Sequence, residues 1–127
     1  IYNNRKIMLI DFGCCHQIKN GLIDILSEVG TIGYNPPEIY DCKAHKTSDF
    51  WCWGICVWIL YGEYSPFEFN NPNNDIKNNF KFPNIIHEKE IKKMSKDQIE
   101  LFKGIFTTYD KRFYFDEIIN NNWIKSI

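Results

Sequence analysis

Apolar residues concentrate most strongly in the middle of the chain. Residues 50–61 include no charged side chain, so a helix there has no polar face to give to water and is typical of a buried position. Thr47 or Ser48 can cap the start of this helix through a hydroxyl, and Asp49 falls in its first turn, where a negative charge suits the helix dipole. The pattern predicts a central core helix over residues 47–62, shorter than the about 20 apolar residues that span a bilayer.

Weaker patterns precede this helix. The run over residues 6–10 is mostly apolar and follows an Asn-Asn pair, which predicts a strand. Residues 14–29 show no periodicity and predict a mostly exposed loop. Pro37 suits the first position of a short helix that continues through Glu38.

Three helices are predicted after the central one. Ser95 followed by Gln98 has the form of a capping box and opens a helix with one apolar face, formed by Ile99, Phe102, Ile105 and Phe106. Residues 115–119 predict a last helix. Between the central helix and Ser95, the polar stretch after Phe67 predicts a loop and a short helix near residues 75–79.

Composition and charge narrow the functional classes. The net charge of −1 gives no reason to expect a nucleic-acid partner, and no segment predicts a membrane span or a signal peptide. Five cysteines with no paired spacing fit a reduced, intracellular chain, which we expect in the cytoplasm. A metal site at Cys52, Cys56 and His45 is an alternative to core packing, which we favour because further ligands are not evident.

Two short motifs carry candidate chemistry. Asp11-Phe12-Gly13 follows the predicted strand, where a carboxylate beside a glycine hinge can reach a metal-bound phosphate; a strand followed by a plain turn is the alternative. Residues 30–38 contain two glycines and two prolines, so their backbone conformation is tightly specified.

These motifs occur in the order found in one family. Asp11-Phe12-Gly13, the segment 30–38, Ser48 to Gly54, Pro66-Phe67 and Arg112 follow one another with suitable spacing. The chain resembles the C-terminal lobe of a eukaryotic protein kinase of the Ser/Thr type, from just before the Asp-Phe-Gly motif onward. Pro36-Pro37-Glu38 departs mildly from the usual Ala-Pro-Glu and keeps its acidic residue.

The resemblance implies a fold that is mainly α: the C-terminal lobe of the protein kinase-like (α+β) fold, with short β-strands at its N-terminal end. Residues 1–127 would be a partial kinase domain with an activation segment over 11–38 and the central helix at 47–62. The N-lobe and the catalytic loop of the same domain would lie upstream, so this piece alone is expected to be inactive.

For phosphate transfer, the resemblance implies that Asp11 holds Mg²⁺ on the phosphates of ATP, the cofactors of the complete domain. Phe12 would pack inward and Gly13 would act as a hinge. Thr31 would lie beside the catalytic aspartate and mark Ser/Thr specificity. The protein substrate would contact Gly30, Ile32, Gly33 and Tyr34.

Further roles are structural and regulatory. The resemblance implies that Asp49 accepts hydrogen bonds from the catalytic loop, and that Glu38 and Arg112 form an ion pair that ties the activation segment to the lobe. Ser27 matches a common activation-loop phosphosite, although an ordinary loop serine is equally consistent.

The resulting hypothesis is an ATP-dependent protein serine/threonine kinase that transfers the γ-phosphate of ATP to Ser or Thr of protein substrates. The alternative is a pseudokinase-type interaction module without phosphoryl transfer. The group within the family stays open between kinases that resemble the cyclic-nucleotide-dependent ones, which the motifs favour, and those that resemble the calmodulin-dependent ones.

Overall fold

The structure is a computed structural model that describes residues 8–62, 65–67 and 91–127. In these ranges the chain is mainly helical, with one two-stranded sheet. The order of elements is strand β1 (Leu22–Asp24), a 3-10 helix (Pro37–Asp41), strand β2 (Lys43–His45), and helices α1 (Ser48–Gly62), α2 (Lys96–Ile105), α3 (Phe115–Asn120) and α4 (Asn122–Lys125). No helix within the described ranges combines the length and the apolar character that crossing a membrane requires.

Helix α1 forms the centre of the core, as its sequence predicts. Trp51, Ile55 and Trp58 recur at helical spacing on one face and are each at most 1% exposed. The prediction that this helix is buried all round is wrong, because Cys56 and Leu60 are exposed and Leu60 is 85% accessible. The described residues pack against one side of α1 and leave a stripe on the other side accessible.

Helix α2 supplies the opposite side of the core. The predicted capping box is confirmed: the Ser95 hydroxyl accepts from the N–H of Gln98 at 3.2 Å, and the Gln98 side chain accepts from the N–H of Ser95 at 2.7 Å. The predicted apolar face is also present, with Phe102 and Ile105 fully buried. The helices meet through aromatic rings, of which Trp58 and Phe102 pack edge to face with centroids 4.9 Å apart.

The two strands differ from the sequence-based expectation. Strand β1 lies within residues 14–29, for which an exposed loop is predicted, and it pairs antiparallel with β2 in the register Leu22 to His45. A strand this short has too few residues to show a period, so only its partner identifies it. Of the strand predicted at residues 6–10, the described residues 8–10 are exposed and irregular, because they pair with no described strand; residues 6 and 7 lie outside the description.

The remaining elements largely follow the sequence. The short helix that starts at Pro37 is a 3-10 helix, and it ends at Cys42, whose φ of 53° lies in the left-handed region. Helix α3 confirms the last predicted helix, while α4 follows it directly after the Asn121 cap and was not predicted. The loop and short helix predicted after Phe67 lie outside the described residues.

Close contact between α1 and α2 depends on a glycine. A Cβ built on Gly54 would lie 2.5 Å from Ile105 Cγ2 and 3.2 Å from a ring carbon of Phe106. We expect Gly54→Ala to destabilise the protein by about 1–2 kcal/mol, because overpacking costs about 1–3 kcal/mol and the gain in helix propensity returns less than 1 kcal/mol. Chemical denaturation followed by tryptophan fluorescence measures the change. Cys56→Ala, on the exposed face of the same helix, serves as control and should stay within about 0.5 kcal/mol; a neutral Gly54→Ala would contradict the packing.

Candidate functional site

The Asp-Phe-Gly motif forms a turn near the beginning of the described residues. Asp11 is exposed and has a φ of 61°, a left-handed conformation that few residues other than glycine adopt. Its carboxylate lies near the N–H of Gly13 at 3.4 Å, and the N–H of Cys15 donates to the Phe12 carbonyl at 3.1 Å. The motif therefore presents an accessible Asp11 carboxylate, and the backbone at Asp11 has an unusual conformation.

The expectation that Phe12 packs inward is wrong in this structure, where its side chain is 66% exposed. The preceding residues Met8, Leu9 and Ile10 are 70% to 84% exposed. Among the described residues the segment therefore has no buried apolar layer for the ring to join.

The next part of the site is the loop of residues 29–35, called here the 29–35 loop. Gly30 and Gly33 have positive φ angles of 91° and 97°, which explains the glycines at these positions. The N–H of Tyr34 donates to the carbonyl of Thr31 at 3.1 Å and closes a tight turn. Thr31 and Ile32 are exposed on this turn, and Ser27 is exposed just before it.

The structure contains the ion pair predicted between Glu38 and Arg112. Two nitrogens of the Arg112 guanidinium donate to the two carboxylate oxygens of Glu38, at 2.6 and 3.0 Å. The residues are 4% and 2% exposed, although 74 positions separate them. A bidentate pair of this kind fixes both direction and distance.

Arg112 makes three further hydrogen bonds that were not predicted. Its other N–H groups donate to the carbonyls of Ile105 at 3.1 Å, Thr47 at 3.2 Å and Thr107 at 3.0 Å. Together with the two bonds to Glu38, these account for all five donors of the guanidinium. The same group lies over the ring of Trp51, 5.1 Å from its centroid.

The hydroxyls of Thr47 and Ser48 have roles other than the capping predicted for them. Ser48 Oγ donates to Glu38 at 2.8 Å and accepts from the N–H of His45 at 2.9 Å. Thr47 Oγ1 lies 2.9 Å from His45 Nδ1 and 3.3 Å from the carbonyl of Tyr109. A local capping rule does not anticipate the bonds to Glu38 and Tyr109, because these partners lie 10 and 62 residues away in the sequence.

Sequence reasoning missed the position of His45 as well. The ring is buried beside Tyr109 and Tyr114, with centroids 5.2 and 6.3 Å away. Burial lowers the pKa of His45 below its ordinary 6.5; Arg112 and Lys46 lower it further, whereas Glu38 and Asp110 oppose them. No signal in the sequence separates this histidine from an exposed one.

A cavity of about 420 Å³ lies beside the 29–35 loop and His45. It lies between residues 14–18, the 29–35 loop and the start of α1, and the exposed Asp49 lines it together with His45 and Cys52. Burial raises the pKa of Cys52 to about 12, so its thiol is protonated at neutral pH. Within the described ranges no group of three or more His, Cys, Asp or Glu residues is arranged to hold a metal ion.

Known proteins share this sequence pattern over almost the whole chain. The family described as Protein kinase domain matches residues 1–124. Serine/threonine-protein kinase PSK2 of Saccharomyces cerevisiae is 30% identical over 94% of the chain. Calcium-dependent protein kinase 5 of Plasmodium berghei is 32% identical over 95%, and calcium/calmodulin-dependent protein kinase cmkA of Emericella nidulans is 27% identical over 94%. The chain spans only 10%, 22% and 30% of the lengths of these three proteins, respectively.

The buried ion pair leads to a prediction about stability. Arg112→Ala leaves the Glu38 carboxylate buried without its partner, so we expect a loss of about 3–5 kcal/mol in the free energy of unfolding. Arg112→Lys should recover only part, because an ammonium cannot form the planar fork. Chemical denaturation provides the measurement, with Lys111→Ala, at an exposed neighbour, as control. The double variant Glu38→Gln/Arg112→Ala should lose less than the sum of the single losses; a harmless Arg112→Ala would show that the pair contributes nothing.

The lowered pKa of His45 leads to a prediction about pH. Between the folded pKa and 6.5 the unfolded state binds more protons than the native state, so stability is full above about pH 6.5 and falls as the pH decreases through this interval. We expect His45→Gln to reduce the slope of unfolding free energy against pH between about 5 and 7. His16→Gln, at an exposed histidine, is the control; equal slopes for wild type and His45→Gln would refute the assignment.

Proposed function

The chain belongs to the protein kinase family, and on this premise we propose that it is part of an ATP-dependent protein serine/threonine kinase. We assign it to the C-terminal lobe, with the activation segment over residues 11–38. The observation that carries the proposal is the placement of Asp11: its exposed carboxylate on a left-handed backbone begins a segment whose other end, Glu38, is held by the buried pair with Arg112. A residue held in a rare backbone conformation is typical of functional sites.

The Asp11 carboxylate has the chemistry required of a magnesium ligand. Mg²⁺ prefers hard oxygen donors and is commonly held by one or two carboxylates together with substrate phosphates. Asp11 would supply one such ligand, and Mg²⁺ with ATP, when bound, would supply the phosphoryl group and neutralise its charge. Because the described residues form no further metal cluster, the other ligands would come from ATP and from parts of the domain outside these ranges.

The protein substrate would lie along the 29–35 loop. We propose that Thr31 contacts the phosphoacceptor side of the site and favours Ser or Thr, while Gly30, Ile32, Gly33 and Tyr34 contact the substrate residue that follows. Exposure supports this assignment for Ile32 and Tyr34, which are 63% and 39% accessible although both side chains are large, whereas Gly33 is buried. Ser27 is exposed and accessible to a second kinase as a phosphosite.

Asp49 would complete the site by fixing the catalytic loop. Its exposed carboxylate opens onto the 420 Å³ cavity, where it can accept backbone N–H groups from another segment. None of the 127 residues matches the Gly-rich loop, the strand lysine or the catalytic loop that kinases require. We therefore propose that these residues act only together with the N-lobe and catalytic loop of the same domain, and that alone they transfer no phosphate.

Two further features bear on the kind of kinase and its location. Two of the relatives described above are named as calcium-dependent or calcium/calmodulin-dependent kinases, so we favour that group over the cyclic-nucleotide-dependent one that the motifs favour. All five cysteines are unpaired, which suits a reducing compartment. With ATP as co-substrate, we propose an intracellular and cytoplasmic enzyme.

The proposal predicts that Asp11→Asn in the full-length protein reduces phosphate transfer at least about a hundredfold. The amide is neutral and binds Mg²⁺ more weakly, and stabilisation by the metal is worth several kcal/mol, where each 1.4 kcal/mol is about tenfold in rate. Transfer of labelled phosphate from ATP to a Ser/Thr peptide is the measurement. Asp24→Asn, at an exposed aspartate of β1, is the control and should keep full activity.

The outcomes separate the two hypotheses. A wild-type protein that transfers no phosphate would favour the interaction module, whereas near-normal transfer by Asp11→Asn would overturn the role of Asp11. Melting temperatures of both variants should match the wild type, because Asp11 and Asp24 are exposed.

A further inference from the structure

The side chain of Asn35 closes the 29–35 loop, although no sequence motif singles it out. Its Nδ2 donates to the carbonyl of Val29 at 2.7 Å, six residues earlier, and the residue is 8% exposed. This bond encloses the tighter turn formed by Thr31 and Tyr34. The loop is therefore held by two hydrogen bonds, one inside the other, and both are made within the loop itself.

The close fit between Asn35 and Gly30 makes this closure specific. Gly30 has a φ of 91°, and a Cβ added there would collide with Oδ1 of Asn35. The carboxamide therefore lies directly against the Gly30 backbone, in space that only glycine leaves open. The two residues form a matched pair, in which a side chain at position 30 would displace the amide at position 35.

The closed loop presents its outer residues in one arrangement. Ile32 and Tyr34 are exposed on the outside, whereas Asn35 and Pro36 are buried and lead directly into the anchored Glu38. A surface that is ordered before binding loses less conformational entropy when a partner docks. If the loop is open for part of the time, its affinity for the partner falls in proportion to the fraction of molecules in which the loop is closed.

We propose that Asn35 is a positioning residue for the protein substrate. It acts through the shape of the 29–35 loop, and it therefore controls affinity for the peptide and the preference for the substrate residue after the phosphoacceptor. This inference rests on the proposed function, because that function places the substrate on this loop.

The test compares Asn35→Leu with wild type in the full-length protein. Leucine has a similar size but cannot donate to Val29. We expect KM for a Ser/Thr peptide to rise about fivefold, the effect of one lost neutral hydrogen bond, with kcat and KM for ATP changed less than about twofold. Asn35→Leu should also discriminate less among peptides that differ only in the residue after the phosphoacceptor. Asn120→Leu, at an exposed asparagine of α3, is the control and should change none of these values.

The close contact between Gly30 and Asn35 allows a second test. Gly30→Ala should raise the peptide KM as well, and the double variant Gly30→Ala/Asn35→Leu should raise it by less than the product of the two single effects, because both changes open the same closure. An unchanged peptide KM in Asn35→Leu, or a parallel rise in KM for ATP, would overturn the proposal.

Hydrogen exchange does not require catalysis, so it tests this inference separately from the proposed function. Amide hydrogen exchange of residues 29–35 should be faster in Asn35→Leu, while exchange in α1 stays unchanged. If the wild-type protein transfers no phosphate, the proposed function fails and exchange alone decides the inference about the loop. Unchanged exchange at residues 29–35 would refute it.

Discussion

The structure depends most on the burial of one guanidinium group. Removing Arg112 from water is costly unless each of its five N–H groups finds an acceptor, and its attraction to Glu38 offsets only part of that cost. The acceptors therefore have to converge on one point. They come from the 3-10 helix, from the residue before α1, from the end of α2 and from the loop that follows it. This requirement orients the 3-10 helix relative to the start of α1 and the end of α2.

The apolar core and this polar centre are continuous. Trp51 is part of the aromatic cluster on α1, and one of its faces packs under the Arg112 guanidinium. On the other side of the pair, Ser48 bonds Glu38 and the N–H of His45, which links the pair to the β1–β2 sheet. A change in the charge of His45 would thus act close to the centre that holds the fold.

The two ends of the segment that begins at Asp11 are held differently. The first residues are exposed and make only local turns, the 29–35 loop is closed by its own hydrogen bonds, and the end at Glu38 is fixed in the interior. A segment built in this way can keep the 29–35 loop in one shape while its beginning stays accessible. In the proposed function, the metal and the ATP phosphates bind at the first part of the segment, and the protein substrate binds at the 29–35 loop. The arrangement of the segment agrees with this proposal.

The elements that depend on local chemistry can be predicted from the sequence. The uncharged run of α1, the Ser95 capping box and Pro37 at a helix start each predict their element, because each signal lies within the element or directly beside it. The resemblance to kinases also predicted the pair of Glu38 and Arg112.

Other features arise from contacts that form when the chain folds. The β1–β2 pairing, the bond from Arg112 to the carbonyl of Thr47 and the bond from Thr47 to Tyr109 depend on partners far away in the sequence, and the bond from Ser48 to Glu38 spans ten residues. The closure by Asn35 spans only six residues, but it requires the left-handed backbone of Gly30 to bring the amide against it. The residue type limits which hydrogen bonds a side chain can make, but only the folded chain determines which partner comes within reach.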